Sequence, residues 1–179
     1  ALPGGLFVLG FVAFSAMVGE GAMADWSGIF LRQTLHSNEG LAAAGYATFS
    51  IAMAGMRFFG DRISARIGPV NLVRLGGGLA ICGMSVALTG FSPIAAIFGF
   101  ACVGAGFATV VPMVFSAAGR ASLAPGMAVA TVTTVGYLGF LIGPPMIGFA
   151  AELFGLRCAL ALVLVTSGFI VALAPAVRR

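Results

Sequence analysis

Glu20 and Asp25 are the residues of this sequence that ask most of their surroundings. They follow an apolar run that starts at Leu6, and apolar character resumes around them at Ala22, Met23, Ala24, Trp26, Ile29 and Phe30. On a continuous helix Glu20 lies about 21 Å beyond Leu6. A charge at the centre of a bilayer costs on the order of 2.5 to 3.5 kcal/mol on insertion scales, so a carboxylate there faces a polar cavity or a partner. Such a group is suited to carry a proton or hold a polar solute. The other reading places both acids near the outer headgroups as ordinary hydrated side chains, with Asp25 the nearer to that face. Five residues at about 100° each set the two about 140° apart around the helix, too far to share one small site.

Hydroxyl groups supply a second set of candidates. Thr133 and Tyr137 are four residues apart and Thr134 and Tyr137 three apart, so on a helix their side chains share one side. Tyr46 with Ser50 repeats the spacing. A face of this kind suits a polar solute, and it equally suits hydrogen bonds to neighbouring helices. The third set is the run Arg57-Phe58-Phe59-Gly60-Asp61-Arg62-Ile63-Ser64-Ala65-Arg66-Ile67-Gly68. It reads as a short charged turn between two membrane helices on the cytoplasmic side.

Enzyme chemistry finds little to work with. The one histidine, His36, falls in a loop, whereas an intramembrane hydrolase needs its nucleophile and base together at membrane depth. Cys82, Cys102 and Cys158 stand singly in apolar stretches, without the paired spacing of a zinc site or a redox dithiol. No metal, no cofactor and no enzymatic activity are expected.

These side chains need membrane helices to hold them. Of the 179 residues 60% are hydrophobic and 8% charged, with a mean hydropathy of +1.12, against roughly a quarter charged in soluble domains. In hydrocarbon the backbone must satisfy its own hydrogen bonds, which leaves helices or closed barrels. Long unbroken apolar runs exclude the alternating short segments of a barrel. The expected fold is all-α membrane, a six-transmembrane-helix bundle forming a single unit over residues 1–179. Its helices are placed at about 5–30, 41–59, 70–89, 93–115, 127–150 and 158–176, because a span takes about 20 residues.

All nine basic residues are arginine, and seven of them (Arg57, Arg62, Arg66, Arg74, Arg120, Arg178 and Arg179) fall on one side of this arrangement against two, Arg32 and Arg157, on the other. The excess marks the cytoplasmic side and puts both termini there. It also explains the basic balance without nucleic acid, which is not expected as a partner. Small residues at helical spacing, Ala43/Ala47/Ser50/Ala54, Gly76/Ala80/Gly83/Ala87, Ala101/Ala105/Ala108 and Gly136/Gly139/Gly143, imply closely packed helices in contact with membrane lipid. Trp26 is expected as an interfacial anchor, and Pro112, Pro144 and Pro145 as sites of kinking. The chain opens at Ala1 without a methionine or basic leader, which reads as part of a longer protein.

Three strings carry a resemblance. The run from Arg57 to Gly68 resembles the loop signature of the major facilitator superfamily, Gly-x-x-x-Asp-Arg-x-Gly-Arg, with Asp61 and Arg62 matching. Arg57 and Ser64 stand where that pattern has glycines. The stretch from Gly19 to Gly28 is similar to the seventh helix, and that from Gly136 to Gly148 to the eleventh, of a bacterial branch that includes sugar permease-like proteins.

The resemblance covers essentially the whole chain and identifies it as the C-terminal six-helix half of such a transporter. It implies a multi-pass protein of the bacterial inner membrane, a missing N-terminal six-helix half, and a small-molecule solute moved through a central cavity by two rocking bundles. Glu20, Asp25, Tyr46, Thr133, Thr134 and Tyr137 become candidates for solute or proton coupling. Arg57, Gly60, Asp61, Arg62, Arg66 and Gly68 become a cytoplasmic gating loop, in which the matching acid holds the gate by contacting arginines and a helix end of the opposite bundle. The competing reading is a non-transporting membrane scaffold or channel-like oligomer, since small-residue ridges serve any helix packing.

The topology is checked by single cysteines in an otherwise cysteine-free background. Cysteines at Ser64 and Ser122 are expected to label from the cytoplasmic side and one at Asn38 from outside; labelling of Ser64 and Asn38 from the same side would rule out six spans.

Overall fold

Proline and glycine divide the apolar sequence into the helices of the computed structural model, which describes residues 3–178. Arg179, counted above in the charge asymmetry, lies outside the described residues, as do Ala1 and Leu2. α1 (Pro3–Ile29) runs on into a π-helical turn at Phe30–Thr34, and α2 (Glu39–Ile67) follows. Asn38 caps α2, its side-chain oxygen accepting the Leu41 amide at 2.9 Å. α3 (Pro69–Thr89), α4 (Pro93–Phe107) and α6 (Pro125–Phe154) each begin on a proline, where the missing amide costs no helical bond. α5 (Val110–Arg120) continues the line of α4, and α7 (Leu156–Ala159) and α8 (Leu162–Leu173) form the sixth span with a terminal 3-10 turn at Ala174–Arg178. Five spans are long and apolar enough to cross a membrane; α2, the more polar sixth, packs among them.

Two boundaries depart from the sequence reading. α2 extends to Ile67, so Arg57, Gly60, Asp61, Arg62 and Arg66 are helical and only Gly68 makes the turn. Nothing between Phe59 and Ile67 breaks a helix; the arginines mark departure from hydrocarbon, and the helix outlasts it. It stops at Gly68, whose φ of +82° suits glycine and whose amide donates to the Ser64 carbonyl at 2.8 Å. The fourth span, expected over 93–115, breaks at Ala108 and Thr109 and then runs to Arg120. Pro112 explains the break: its ring lacks an amide for the carbonyl four residues back, that of Ala108, and clashes with it. Pro144 and Pro145 by contrast lie within an unbroken α6.

Packing follows glycine. α1 lies along α6, α3 along α4, and α2 against α4, with α8 behind α3 and α1. Gly76 and Gly83 of α3 face Gly106 and Gly99 of α4 so closely that an added Cβ on any of them would collide with the opposite glycine's carbonyl oxygen. Gly139 meets the Phe14 carbonyl of α1 in the same way, with Gly136 and Gly143 on Met17 and Val18. The ridge expected on α2 is different. Ala43, Ala47 and Ala54 are exposed, and the helix packs through Ala42, Gly45, Phe49 and Met53. On α4 the close contacts are made by Gly99, Gly104 and Gly106 in place of Ala101 and Ala105, which are only half-buried.

At the end carrying the α3–α4 turn, Arg157 acts as a clasp. Its guanidinium donates to the carbonyls of Leu88 and Gly90 and lies 5.6 Å from the Phe30 ring and 5.2 Å from the Phe91 ring. Free carbonyls at a helix C-terminus attract a cation, and the two rings add their faces.

The glycine contacts give a paired test in purified protein. Gly76→Ala is expected to destabilise by about 1 to 3 kcal/mol through overpacking, whereas Gly78→Ala, where an added Cβ meets nothing within 4 Å, is neutral or better. Equal unfolding midpoints for the two variants would refute the packing assignment.

Candidate functional site

Asp25 is exposed on a face of α1 that no other helix of the bundle covers, and two grooves meet at it. The first, about 680 Å³, runs between α1 and α2 and is lined by Ala24, Asp25, Arg32, Glu39, Ala43 and Tyr46. The second, about 730 Å³, runs between α1 and α6 past Asp25, Trp26, Tyr137, Leu141, Pro144 and Pro145. One carboxylate is thereby flanked by two tyrosines from different helices, Tyr46 at 45% and Tyr137 at 62% exposure. Acid and phenols together offer charge, hydrogen bonding and an aromatic surface to a polar ligand.

Small residues and one indole set this geometry. Gly28 lets α1 approach α2, since an added Cβ would sit 3.3 Å from the Ala42 carbonyl oxygen. Toward α6, Gly21 packs on the Pro144 ring and Gly148 lies beneath Trp26, whose indole nitrogen donates to the Pro144 carbonyl at 3.2 Å. Trp26 therefore bolts α1 to α6, a role beyond the interfacial anchor expected for it. Arg32 and Glu39 close the end of the first groove beside the α1–α2 connection with a 2.9 Å ion pair. Both are well exposed, and such pairs contribute little stability.

Glu20 lies about 7.5 Å along the axis from Asp25 and is half-buried, with its Oε1 enclosed and lacking any hydrogen-bond partner. The cation whose field reaches it is Arg57 of α2. Arg57 donates to the Met53 sulfur at 3.3 Å, and the ion pair found among the described residues is Arg32 with Glu39, so Glu20 and Arg57 stay short of direct pairing. Eleven residues, about 16 Å of helix, separate Arg57 from the turn at Gly68. It is part of a continuous helix, well short of that turn. The signal available in the sequence was its lone position among Ala52, Met53, Ala54, Met56, Phe58 and Phe59.

The remaining candidates disperse. Thr134 is exposed and returns its hydroxyl to the Ala130 carbonyl at 2.9 Å, while Thr133 is half-buried. Asp61, Arg62 and Arg66 are exposed on the last turns of α2, and Gly60 is buried against Thr109 at the break between α4 and α5. Sequence reasoning did not anticipate the hydrogen bond between Trp26 and the Pro144 carbonyl, and it placed Arg57 in a turn. His36 lies in the connection between α1 and α2, and no group of three metal-ligating side chains occurs among the described residues.

The bundle has known counterparts. The chain superposes with a TM-score of 0.85 on crystal structures of the peptide transporter POT, solved in complex with sulfate and, as a mutant, with alafosfalin; identity is 20%, and the match covers 98% of this chain and 38% of that one. In sequence it is 41% identical over 178 residues to an uncharacterized MFS-type transporter of Yersinia pestis, covering 98% of this chain and 46% of that protein. It is 38% identical over 170 residues to the membrane protein MosC of Rhizobium meliloti, covering 94% and 42%. No family model matches. The chain thus spans about half the length of the curated relatives it matches. Six helices in this arrangement define a multi-pass membrane protein with the fold of half a transporter. The chain belongs to the major facilitator superfamily.

Proposed function

We propose that this chain is the C-terminal half of a bacterial inner-membrane secondary transporter, which carries a small polar solute by alternating access with both termini on the cytoplasmic side. The observation behind this reading is the uncovered face on which Asp25 stands between Tyr46 and Tyr137. A second six-helix half laid over that face would enclose the two grooves, and the bound solute would exchange contacts as the halves rock. Relatives named as transporters, and a fold shared with a peptide transporter, support the same class.

Within this reading Asp25 with the two tyrosines binds the solute. Glu20, whose Oε1 is enclosed and without a hydrogen-bond partner, carries the coupling proton, with Arg57 the cation on α2 whose field reaches it. Thr133 and Thr134 extend the solute face along α6. Asp61, with Arg62 and Arg66, biases the gate at the arginine-rich end. A carboxylate acting on a helix N-terminus contributes about 0.3 to 1 kcal/mol, enough to shift a balanced two-state equilibrium roughly two- to fivefold.

In the full-length transporter, Asp25→Asn is expected to weaken equilibrium solute binding about tenfold or more, the loss typical of a charged hydrogen bond. Glu20→Gln should retain solute exchange and lose pH-driven accumulation. Solute affinity unchanged in Asp25→Asn, or accumulation unchanged in Glu20→Gln, would overturn the respective role. Asp61→Asn should lower transport rate with affinity nearly intact, and matching losses of both would contradict a gating role. Saturable flux by the purified monomeric chain alone would refute the two-half reading.

A further inference from the structure

A groove of about 400 Å³ opens at the arginine-rich end of the bundle, away from the Asp25 site. Its lining includes Ile67, Val70, Asn71, Arg74, Pro175 and Arg178. The two arginines come from different elements, α3 and the terminal 3-10 turn, and neither has a carboxylate partner among the described residues. Arg74 lies six residues past Gly68, about 9 Å along α3, which puts a guanidinium at headgroup depth with its stem against apolar rim residues. The first amides of α3 point toward the same end, since no side chain caps that helix. Two unpaired cations and a positive helix end converge on one recess.

We propose that this groove binds the phosphodiester headgroup of an anionic phospholipid. The recognising chemistry, guanidinium to phosphate oxygen, would serve free phosphate equally, but the surroundings select the lipid. Below Arg74 the outward face of α3 continues through Leu75 at 62%, Leu79 at 39% and Val86 at 43% exposure. That stripe offers an acyl chain a continuous track from the recess into the hydrocarbon. Basic pockets between membrane helices are a recurrent means of holding such headgroups. The site would fasten α3 and the end of the sixth span to the bilayer surface beside the moving gate.

The test uses full-length transporter in detergent, with retained lipid measured by native mass spectrometry after equilibration with equimolar phosphatidylglycerol and phosphatidylcholine. Arg74→Gln with Arg178→Gln should lower phosphatidylglycerol retention roughly tenfold or more, about fivefold per arginine, with phosphatidylcholine unchanged. Arg66→Gln with Arg120→Gln removes the same charge from the same end outside the groove and should change retention less than about twofold. Val70→Trp keeps both charges but fills the recess, and should also lower retention, which separates the site from misfolding caused by charge removal. Equal losses in the two arginine pairs would reduce the effect to diffuse attraction and overturn the proposal. Full retention in Val70→Trp would do the same, and displacement by millimolar orthophosphate would assign the groove to a soluble anion.

Discussion

A backbone amide in hydrocarbon has no water to turn to, and the whole architecture depends on where that rule is kept and where it is relaxed. Six spans keep it through helical hydrogen bonds. The exceptions cluster at prolines and at helix ends, and each is covered by another part of the protein. The break before Pro112 exposes backbone at Ala108 and Thr109, both buried, and Gly60 of α2 packs on Thr109. Pro144 and Pro145 free two carbonyls on α6, where Gly21 and Trp26 of α1 press against the same turn. At the end of α1 the widened turn is closed by the Leu35 amide donating to the Phe30 carbonyl at 3.2 Å. Irregular backbone at membrane depth therefore coincides with helix crossings.

With lipid tails as apolar as any leucine, burial does little to drive the helices together, and close approach of backbones has to supply the attraction through dispersion. The glycine pairs of α3 and α4 and the glycines of α6 against α1 do this along the length of the bundle. The same economy decides which faces stay open. α1, α2 and α6 spend their glycines on one another and on α4, and they turn Asp25, Tyr46 and Tyr137 to the uncovered side.

The helices were legible because composition and chain breaks report them directly: Pro69, Pro93 and Pro125 open helices, and Gly68 and Gly155 close them. The end of α2 was not, because hydropathy marks the edge of the lipid, and a helix needs no apolar side chains to continue past it. Helix faces were legible where glycines anchored the ridge, as at Gly76/Ala80/Gly83/Ala87 and Gly136/Gly139/Gly143. Ala43, Ala47 and Ala54 have the spacing of a packing ridge, yet spacing alone does not say which of several small-residue faces meets a neighbour. Trp26 was read only as an anchor: a tryptophan near a helix end has two uses, and its hydrogen bond to the Pro144 carbonyl shows only in the folded bundle.

The charges then order themselves by depth. Asp25 tolerates exposure because its face opens onto two grooves, whereas Glu20 has one oxygen shut in without a hydrogen-bond partner. Arg57 on α2 is itself exposed and donates to the Met53 sulfur, so Glu20 and Arg57 do not form an ion pair. The exposed Arg32–Glu39 pair shows the opposite arrangement beside the connection of the same two helices, where solvent makes contact cheap to form and to lose. The same two helices thus carry a closed but weak pair where solvent reaches it and an unpaired acid where the bundle encloses one of its oxygens.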